Sequence, residues 1–297
     1  MILAVTGGTG FVGRHVIDRA LAAGHVVRAL ARAPQPPRAG VTWIAGALDD
    51  PQSLGTLCAG AAAVLHIAGT VNADRAGFAA ANIEGTRAVI AAAREAGVRR
   101  FVHVSSLSAR EPQLSDYGWS KREGEALVEA SGLDWTIVRP TGVYGPGDTE
   151  MRDMFRMAAR GLVLLPPSGR VSLIAAGDLA ALLLALAEAR DHRAIYEVDD
   201  GTGMTHAELA QAIGMAVGRK VLPVHLPRPL LSLAAAIDTA IRGRGAKLTR
   251  DRVGYLCHAD WTAGPARRPP PELWTPATAT AAGLAATAAW YRAHALL

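Results

Sequence analysis

Gly7, Gly10 and Gly13 recur at three-residue intervals directly after a five-residue run, Ile2-Leu3-Ala4-Val5-Thr6, and at the head of a helix-periodic stretch. A strand that enters a helix through Thr6-Gly7-Gly8-Thr9-Gly10-Phe11-Val12-Gly13 needs residues without Cβ atoms. They let the chain turn tightly and bring its backbone close to a bound group. The following helix offers its first N–H groups and the positive end of its dipole, which suits the pyrophosphate of a dinucleotide. Gly7, Thr9, Gly10, Phe11, Val12 and Gly13 are the expected residues on the cofactor side of this loop.

Beyond the loop, β-rich runs at 2–6, 26–30, 41–44, 63–67, 101–105 and 135–139 alternate with Ala-rich helical patterns at about 10–23, 51–58, 79–96 and 117–131. Strands joined through helices lie parallel and are covered on both faces, so the expected fold is α/β, a doubly wound parallel Rossmann sheet. A smaller C-terminal substrate-binding region is expected to complete it. After Arg139 the alternation fades, and Gly145-Pro146-Gly147 and Pro166-Pro167-Ser168-Gly169 break the chain into short pieces. Residues 1–165 are read as the nucleotide domain and 166–297 as the cap, with 171–190 packing back on the core. Farther on, Thr205 caps a helix to about 217, 226–241 reads as an apolar helix, and 265–276 as a Pro- and Arg-rich surface loop.

The formal charge of +5 is spread along the chain without the aromatic-basic interleaving or zinc-finger spacing of a nucleic-acid binder, so no nucleic-acid partner is expected. An anionic cofactor accounts for the surplus equally well. Cys58 and Cys257 form neither a disulfide framework nor a metal-type pair; a reducing, cytoplasmic setting without a metal is the expectation. The opening residues run straight into the glycine loop and read as a first strand rather than a signal peptide. The longest apolar run, 179–187, is far shorter than the roughly 20 residues of a bilayer-spanning helix.

Tyr117-Gly118-Trp119-Ser120-Lys121 places a phenol and an ammonium four residues apart, on one helical face. A phenol has an unperturbed pKa of about 10 and serves in proton transfer near neutrality only beside a positive charge. Lysine stands at only three positions, 121, 220 and 247, in a chain that otherwise uses Arg. Cofactor choice is expected at the end of the second strand, where an acid suits the ribose hydroxyls of NAD and an Arg the extra phosphate of NADP. The chain reads Arg28-Ala29-Leu30-Ala31-Arg32, without an acid, so Arg32 favours NADP(H), with NAD(H) as the alternative and Arg14 as a potential helper.

Taken together, the glycine loop, Phe101-Val102-His103-Val104-Ser105-Ser106, Tyr117-x-x-x-Lys121 and Arg139-Pro140-Thr141-Gly142-Val143-Tyr144-Gly145 resemble the short-chain dehydrogenases/reductases. The closer likeness is to their extended or atypical branch, the NAD-dependent epimerase/dehydratase-like family, over roughly residues 1–150. The resemblance implies a catalytic set of Ser106, Tyr117 and Lys121, in which Ser106 holds the substrate carbonyl, with Ser108 as the fallback. Tyr117 would transfer the proton, and Lys121 would hold the nicotinamide ribose. It also implies that Ile67, Ala68, Gly69, Val104 and Ser105 lie against the cofactor, that Pro140, Thr141 and Val143 line the nicotinamide pocket, and that 82–86 braces the site. His66 reads as structural.

Several positions depart from the family pattern. Gly46-Ala47-Leu48 lacks the Asp that usually addresses adenine, which leaves Leu48 and backbone for that task. Arg170 lies one residue from the position of the phosphate-binding Arg of nucleotide-sugar enzymes, and one residue reverses facing in a strand. Met151, Met154, Phe155, Met157 and the 162–165 run lean toward an apolar substrate. The expected activity is hydride exchange between nicotinamide and a carbonyl/alcohol carbon of a small, fairly apolar molecule, with Tyr117 as acid/base. A nucleotide-sugar epimerase retaining NAD and a non-catalytic NADP-binding module are the alternatives, and pairing of the 79–96 and 117–131 helices in a homodimer follows by analogy.

Overall fold

The structure, a computed structural model, describes residues 1–190 and 192–297, the side chain at 244 excepted. Its first elements are β1 (Ile2–Thr6), α1 (Phe11–Ala22), β2 (Val26–Ala31), β3 (Val41–Ala45), α2 (Pro51–Cys58) and β4 (Ala63–His66). There follow α3 (Arg75–Phe78), a π-helical turn over Ala79–Glu84, α4 (Gly85–Glu95), β5 (Arg100–Val104), α5 (Asp116–Glu129) and β6 (Asp134–Pro140). Next come β7 (Gly142–Tyr144), α6 (Arg152–Ala159), β8 (Leu162–Leu165), β9 (Arg170–Val171), β10 (Leu173–Ala175), α7 (Ala176–Glu188) and β11 (Ala194–Val198). The remainder forms β12 (Met204–Thr205), α8 (His206–Val217), β13 (Leu222–His225), α9 (Arg228–Arg242), α10 (Arg250–Leu256), β14 (Asp260–Trp261) and α11 (Thr280–Ala293).

Two compact units divide these elements: residues 1–140, 176–198 and 265–275 in the first, and 141–175, 199–264 and 276–297 in the second. The first holds a seven-stranded parallel sheet in the order β11-β6-β5-β4-β1-β2-β3. The chain winds outward from β1 to β3, then returns past β1 and winds the other way from β4. That reversal creates a crevice at the carboxyl ends of β1 and β4, the place where doubly wound folds bind ligands. On one face, Leu54 and Leu57 of α2, Val89 of α4 and Val128 of α5 close over Val64, Phe101 and Ile137 of the strands. On the other, α7 packs against α1, β4 and β5, and its Leu179, Leu182, Leu183 and Leu186 are all buried.

The unit boundary falls at Pro140, whereas the sequence pattern placed it after 165. The reason is pairing: β7 joins β10 and β8 joins β13, so the stretch between 141 and 175 finds its strand partners outside the main sheet. Segment 265–275, read as a surface loop, belongs to the first unit, where Trp274 Nε1 donates to the Asp178 carbonyl at 3.1 Å. The helical pattern at 79–96 resolves into a π-helical turn and α4, with α3 before them.

The second unit has its own core. Tyr144, Phe155, Val163, Leu165, Leu209 and Ile213 meet Leu284, Ala288 and Tyr291 of α11. Thr205 caps α8 in a reciprocal box with Glu208, each side chain bonding the other residue's backbone N–H.

Candidate active site

The glycine loop leaves β1 with Gly7 at φ +73°, and a Cβ there would stand 2.7 Å from the Ala68 nitrogen, at the end of β4. At Gly13 a Cβ would stand 2.7 Å from Cα of Gly8 and closer still to the Gly7 carbonyl. Neither position has room for any other residue. Gly10 precedes α1 in extended conformation, and neither a side-chain cap nor an acid occupies the first turn. The N-terminal N–H groups of α1, which follows the carboxyl end of β1, therefore have no side-chain cap or first-turn acid of their own. Arg14 Nε donates to the Thr9 carbonyl at 3.0 Å, so this arginine braces the loop. Phe11 and Val12 begin the helix, with the Phe11 ring edge-on to His15 at 5.4 Å. Arg32 is exposed immediately after β2.

A hydrogen-bonded relay ties the end of β4 to the π-helical turn. Ala68 N–H donates to Thr6 Oγ at 3.2 Å, and Thr6 Oγ pairs with His66 Nδ1 at 2.7 Å. On the far side of the ring, His66 Nε2 meets Thr86 Oγ at 3.0 Å, and Thr86 donates to the Asn82 carbonyl at 2.7 Å. Because the Thr86 hydroxyl is used as a donor, the consistent assignment puts the imidazole proton on Nε2 and leaves Nδ1 to accept from Thr6. Burial, with help from the Lys121 charge, holds His66 neutral with a pKa lowered to about 3. His103 stacks on it at 5.2 Å, and burial also drives its pKa well below the usual value.

Asn82 carries the connection onward. Its Oδ1 accepts from Thr70 N–H at 2.9 Å, and its Nδ2 donates to Ser120 Oγ at 2.9 Å. Ser120 in turn donates to the Tyr117 carbonyl at 2.8 Å. A π turn widens a helix locally and recurs at functional sites. Here it presents Asn82 between the β4 loop and α5.

Ser115 caps α5, accepting from Gly118 N–H at 2.9 Å, so the helix begins one residue before Tyr117. The Tyr117 ring lies 5.7 Å from that of Phe78. One turn on, Lys121 Nζ donates to the Val104 carbonyl at 2.8 Å and approaches the β position of Gly69 to 3.8 Å. Its pKa is lowered to about 8 by burial, against the opposing charge of Glu125. Ser106 caps a short 3-10 turn over Leu107–Arg110; its Oγ accepts from Ser108 N–H at 3.2 Å and lies 3.0 Å from Ser108 Oγ. Ser105 is buried, with its backbone N–H on the Val138 carbonyl and its Oγ without a protein hydrogen bond. An orphaned hydroxyl beside Val104 and a glycine cradle that any Cβ would fill both fit a bound nicotinamide dinucleotide.

Behind α5 lies an ion network that the sequence pattern had not singled out. Arg139 grips Glu125 with Nε at 2.8 Å and Nη2 at 2.7 Å, and reaches Glu197 at 3.5 Å. Glu197 also meets Arg110, in the turn after Ser106, at 3.4 Å. The i, i+4 spacing of Lys121 and Glu125 was the available signal.

The other expected residues are distributed over both units. Leu48 turns its side chain onto Gly85 of α4 and the core beneath, while Asp50, two residues later, caps α2. Ile67 N–H bonds the Thr6 carbonyl. Pro140 ends β6 in the first unit, whereas Thr141 and Val143 belong to the second, Val143 within β7. In that unit Arg170 Nη2 donates to the Gly203 carbonyl at 3.3 Å, and Met151, Met154 and Met157 pack on the core.

The family model for NAD(P)H-binding proteins matches residues 7–190. Ceramide reductase of Caulobacter vibrioides (strain NA1000 / CB15N) is 38% identical over 304 residues, covering 98% of this chain and 95% of that protein. The 4-hydroxy-2-methyl-3-oxo-4-farnesyl-3,4-dihydroquinoline-1-oxide ketoreductase of Stigmatella aurantiaca is 34% identical over 170 residues, 49% of this chain and 51% of that one. Among solved structures, MoeE5 in complex with UDP-glucose and NAD shares the fold with a TM-score of 0.79 at 22% identity, over 99% of each chain.

Proposed function

The chain belongs to the NAD(P)H-binding family, and from that membership we propose an NADP(H)-preferring reductase of apolar carbonyl compounds, of the extended or atypical short-chain dehydrogenase/reductase type, with Tyr117 as acid/base. The observation that carries this reading is the Lys121 ammonium, buried one helical turn beyond Tyr117 and fixed on the Val104 carbonyl.

When bound, the nicotinamide gives or takes the hydride. The remaining work falls to side chains of this protein. With Ser108 N–H and the Ser108 hydroxyl both able to donate to it, Ser106 Oγ keeps its own hydrogen for a substrate carbonyl oxygen. Tyr117 supplies the proton that converts this oxygen to an alcohol, or removes it in the reverse direction. The Lys121 charge lowers the cost of the phenolate left behind. Asn82, through Ser120, fixes the turn that presents the phenol. Arg32, exposed past β2 where no acid competes, supports a preference for the 2′-phosphate of NADP.

The substrates in the relatives' names, a ceramide and a farnesyl-bearing dihydroquinoline oxide, support an apolar carbonyl substrate for this chain. The test is a panel of long-chain ketones, shorter apolar ketones and UDP-sugars, followed by loss of reduced-nicotinamide absorbance with NADPH and with NADH. Turnover of the apolar ketones with NADPH is expected. Turnover confined to UDP-sugars, in a preparation carrying tightly held NAD, would overturn the reading in favour of an epimerase.

A further inference from the structure

The second unit carries a surface that the oxidoreductase chemistry does not use. Helix α9, fifteen residues and about 22 Å long, buries Leu231 and Ala235 against Val253 of α10. It leaves Leu230, Leu233, Ile237 and Ile241 outward at 51%, 57%, 49% and 77% exposure. Their spacing, i, i+3, i+7 and i+11, lines them along one face. Single exposed leucines are ordinary, but four in register on one helix are not.

Charge is excluded from this face and gathered at its ends. Between Arg228 and Arg242 the only charged residue is Asp238, whose carboxylate accepts from Lys247 and Leu248 N–H at 2.9 Å and meets Arg242 at 3.2 Å. Across 226–258 there are six basic residues, Arg228, Arg242, Arg244, Lys247, Arg250 and Arg252, against two acids, Asp238 and Asp251. That stretch therefore supplies four of the five units of formal positive charge on the whole chain. Lys247 and Arg252 pair with Asp153 and Glu150, while Arg228 and Arg250 are exposed. Two residues before α9, strand β13 ends beside β8, and that pair exposes Leu162, Leu164 and Leu222.

We propose that the outward face of α9 docks this protein on an anionic lipid bilayer, the helix lying in the plane of the headgroups with its leucines and isoleucines in the acyl boundary. An uncharged stripe with a basic rim matches both layers of such a surface, apolar below and anionic above. A second copy of the chain is a poorer occupant, because pairing stripe to stripe would set one basic rim against another. No helix among the described residues is long and apolar enough to cross a membrane, so the contact is peripheral.

The test is flotation of the full chain with vesicles of phosphatidylcholine alone and of phosphatidylcholine mixed with phosphatidylglycerol, at low and high salt. The chain should float with the mixed vesicles, less so as salt rises, and stay in the bulk with phosphatidylcholine alone. Leu233→Glu combined with Ile237→Glu should lower the bound fraction by about tenfold or more, since each places a charge where the acyl boundary lies. Both side chains are exposed, so the thermal midpoint of the double variant should match that of the parent. Failure of the parent chain to float with anionic vesicles overturns the proposal. So does a parent chain that sediments as a dimer and a double variant that sediments as a monomer, which would assign the stripe to a second copy.

Discussion

Glu125 sits one helical turn beyond Lys121 on α5, wholly buried, its carboxylate held by the Arg139 guanidinium at 2.7 and 2.8 Å. Its charge raises the Lys121 pKa against the burial that lowers it to about 8. Turnover that depends on the ammonium should fall as pH rises through about 8. Glu125→Gln removes the opposing charge, so the alkaline limb of the kcat profile should move to lower pH. An unmoved limb would show that Glu125 does not set the charge on Lys121.

The same lysine should leave a mark on stability. Its ordinary pKa is 10.5 and its pKa in the fold about 8, so between those values the unfolded chain binds more protons and stability rises with pH. Below about pH 8 the buried charge costs the fold its full amount, on the order of 3 kcal/mol. Lys121→Met should therefore be more stable than the parent at pH 7, with the gap closing toward pH 10.5, as denaturant titrations at several pH values would read. The variant should also be inactive.

Tyr117→Phe keeps the ring contact with Phe78 and removes the proton. Turnover should fall by roughly 10²–10⁴ while NADPH affinity, measured by fluorescence titration, changes little. Equal turnover would remove Tyr117 from the acid/base role.

Arg32→Ala should weaken NADPH by roughly 10–100-fold, the worth of a charge-assisted hydrogen bond to phosphate, and leave NADH binding nearly unchanged. Parallel losses for the two cofactors would place recognition of the 2′-phosphate elsewhere.

Gly13→Ala pushes a methyl group into the Gly7–Gly8 backbone, where nothing can rotate away. The loop must open, at a cost of about 1–3 kcal/mol in stability, and cofactor binding should be lost in calorimetry. Retained binding would mean that the loop relaxes without losing its cradle.

Local chemistry explains which parts of this architecture were readable in advance. The glycine loop, the strands through β6, the Thr205 cap and the spacing of Tyr117 and Lys121 are written within a few residues, where backbone freedom, periodicity and capping act. The π turn was hidden because its residues continue a helical pattern without a break, although Asn82 depends on it. Pairing of β11 with β6 joins residues far apart in sequence, and the clasp of Arg139 on Glu125 reaches from β6 back to α5; no local rule encodes either. The unit boundary was misplaced for the same reason: β7 and β8 look like further strands of the first sheet until their partners are known.

The strand order also bears on how the molecule is made. From β1 through β6, each new strand leaves the ribosome beside one already present, so the main sheet can be assembled in the direction of synthesis. The second core has no such schedule. Tyr144 must wait for Leu284, Ala288 and Tyr291, and a nascent chain arrested before residue 280 exposes a greasy half-built cavity to the chaperones around it.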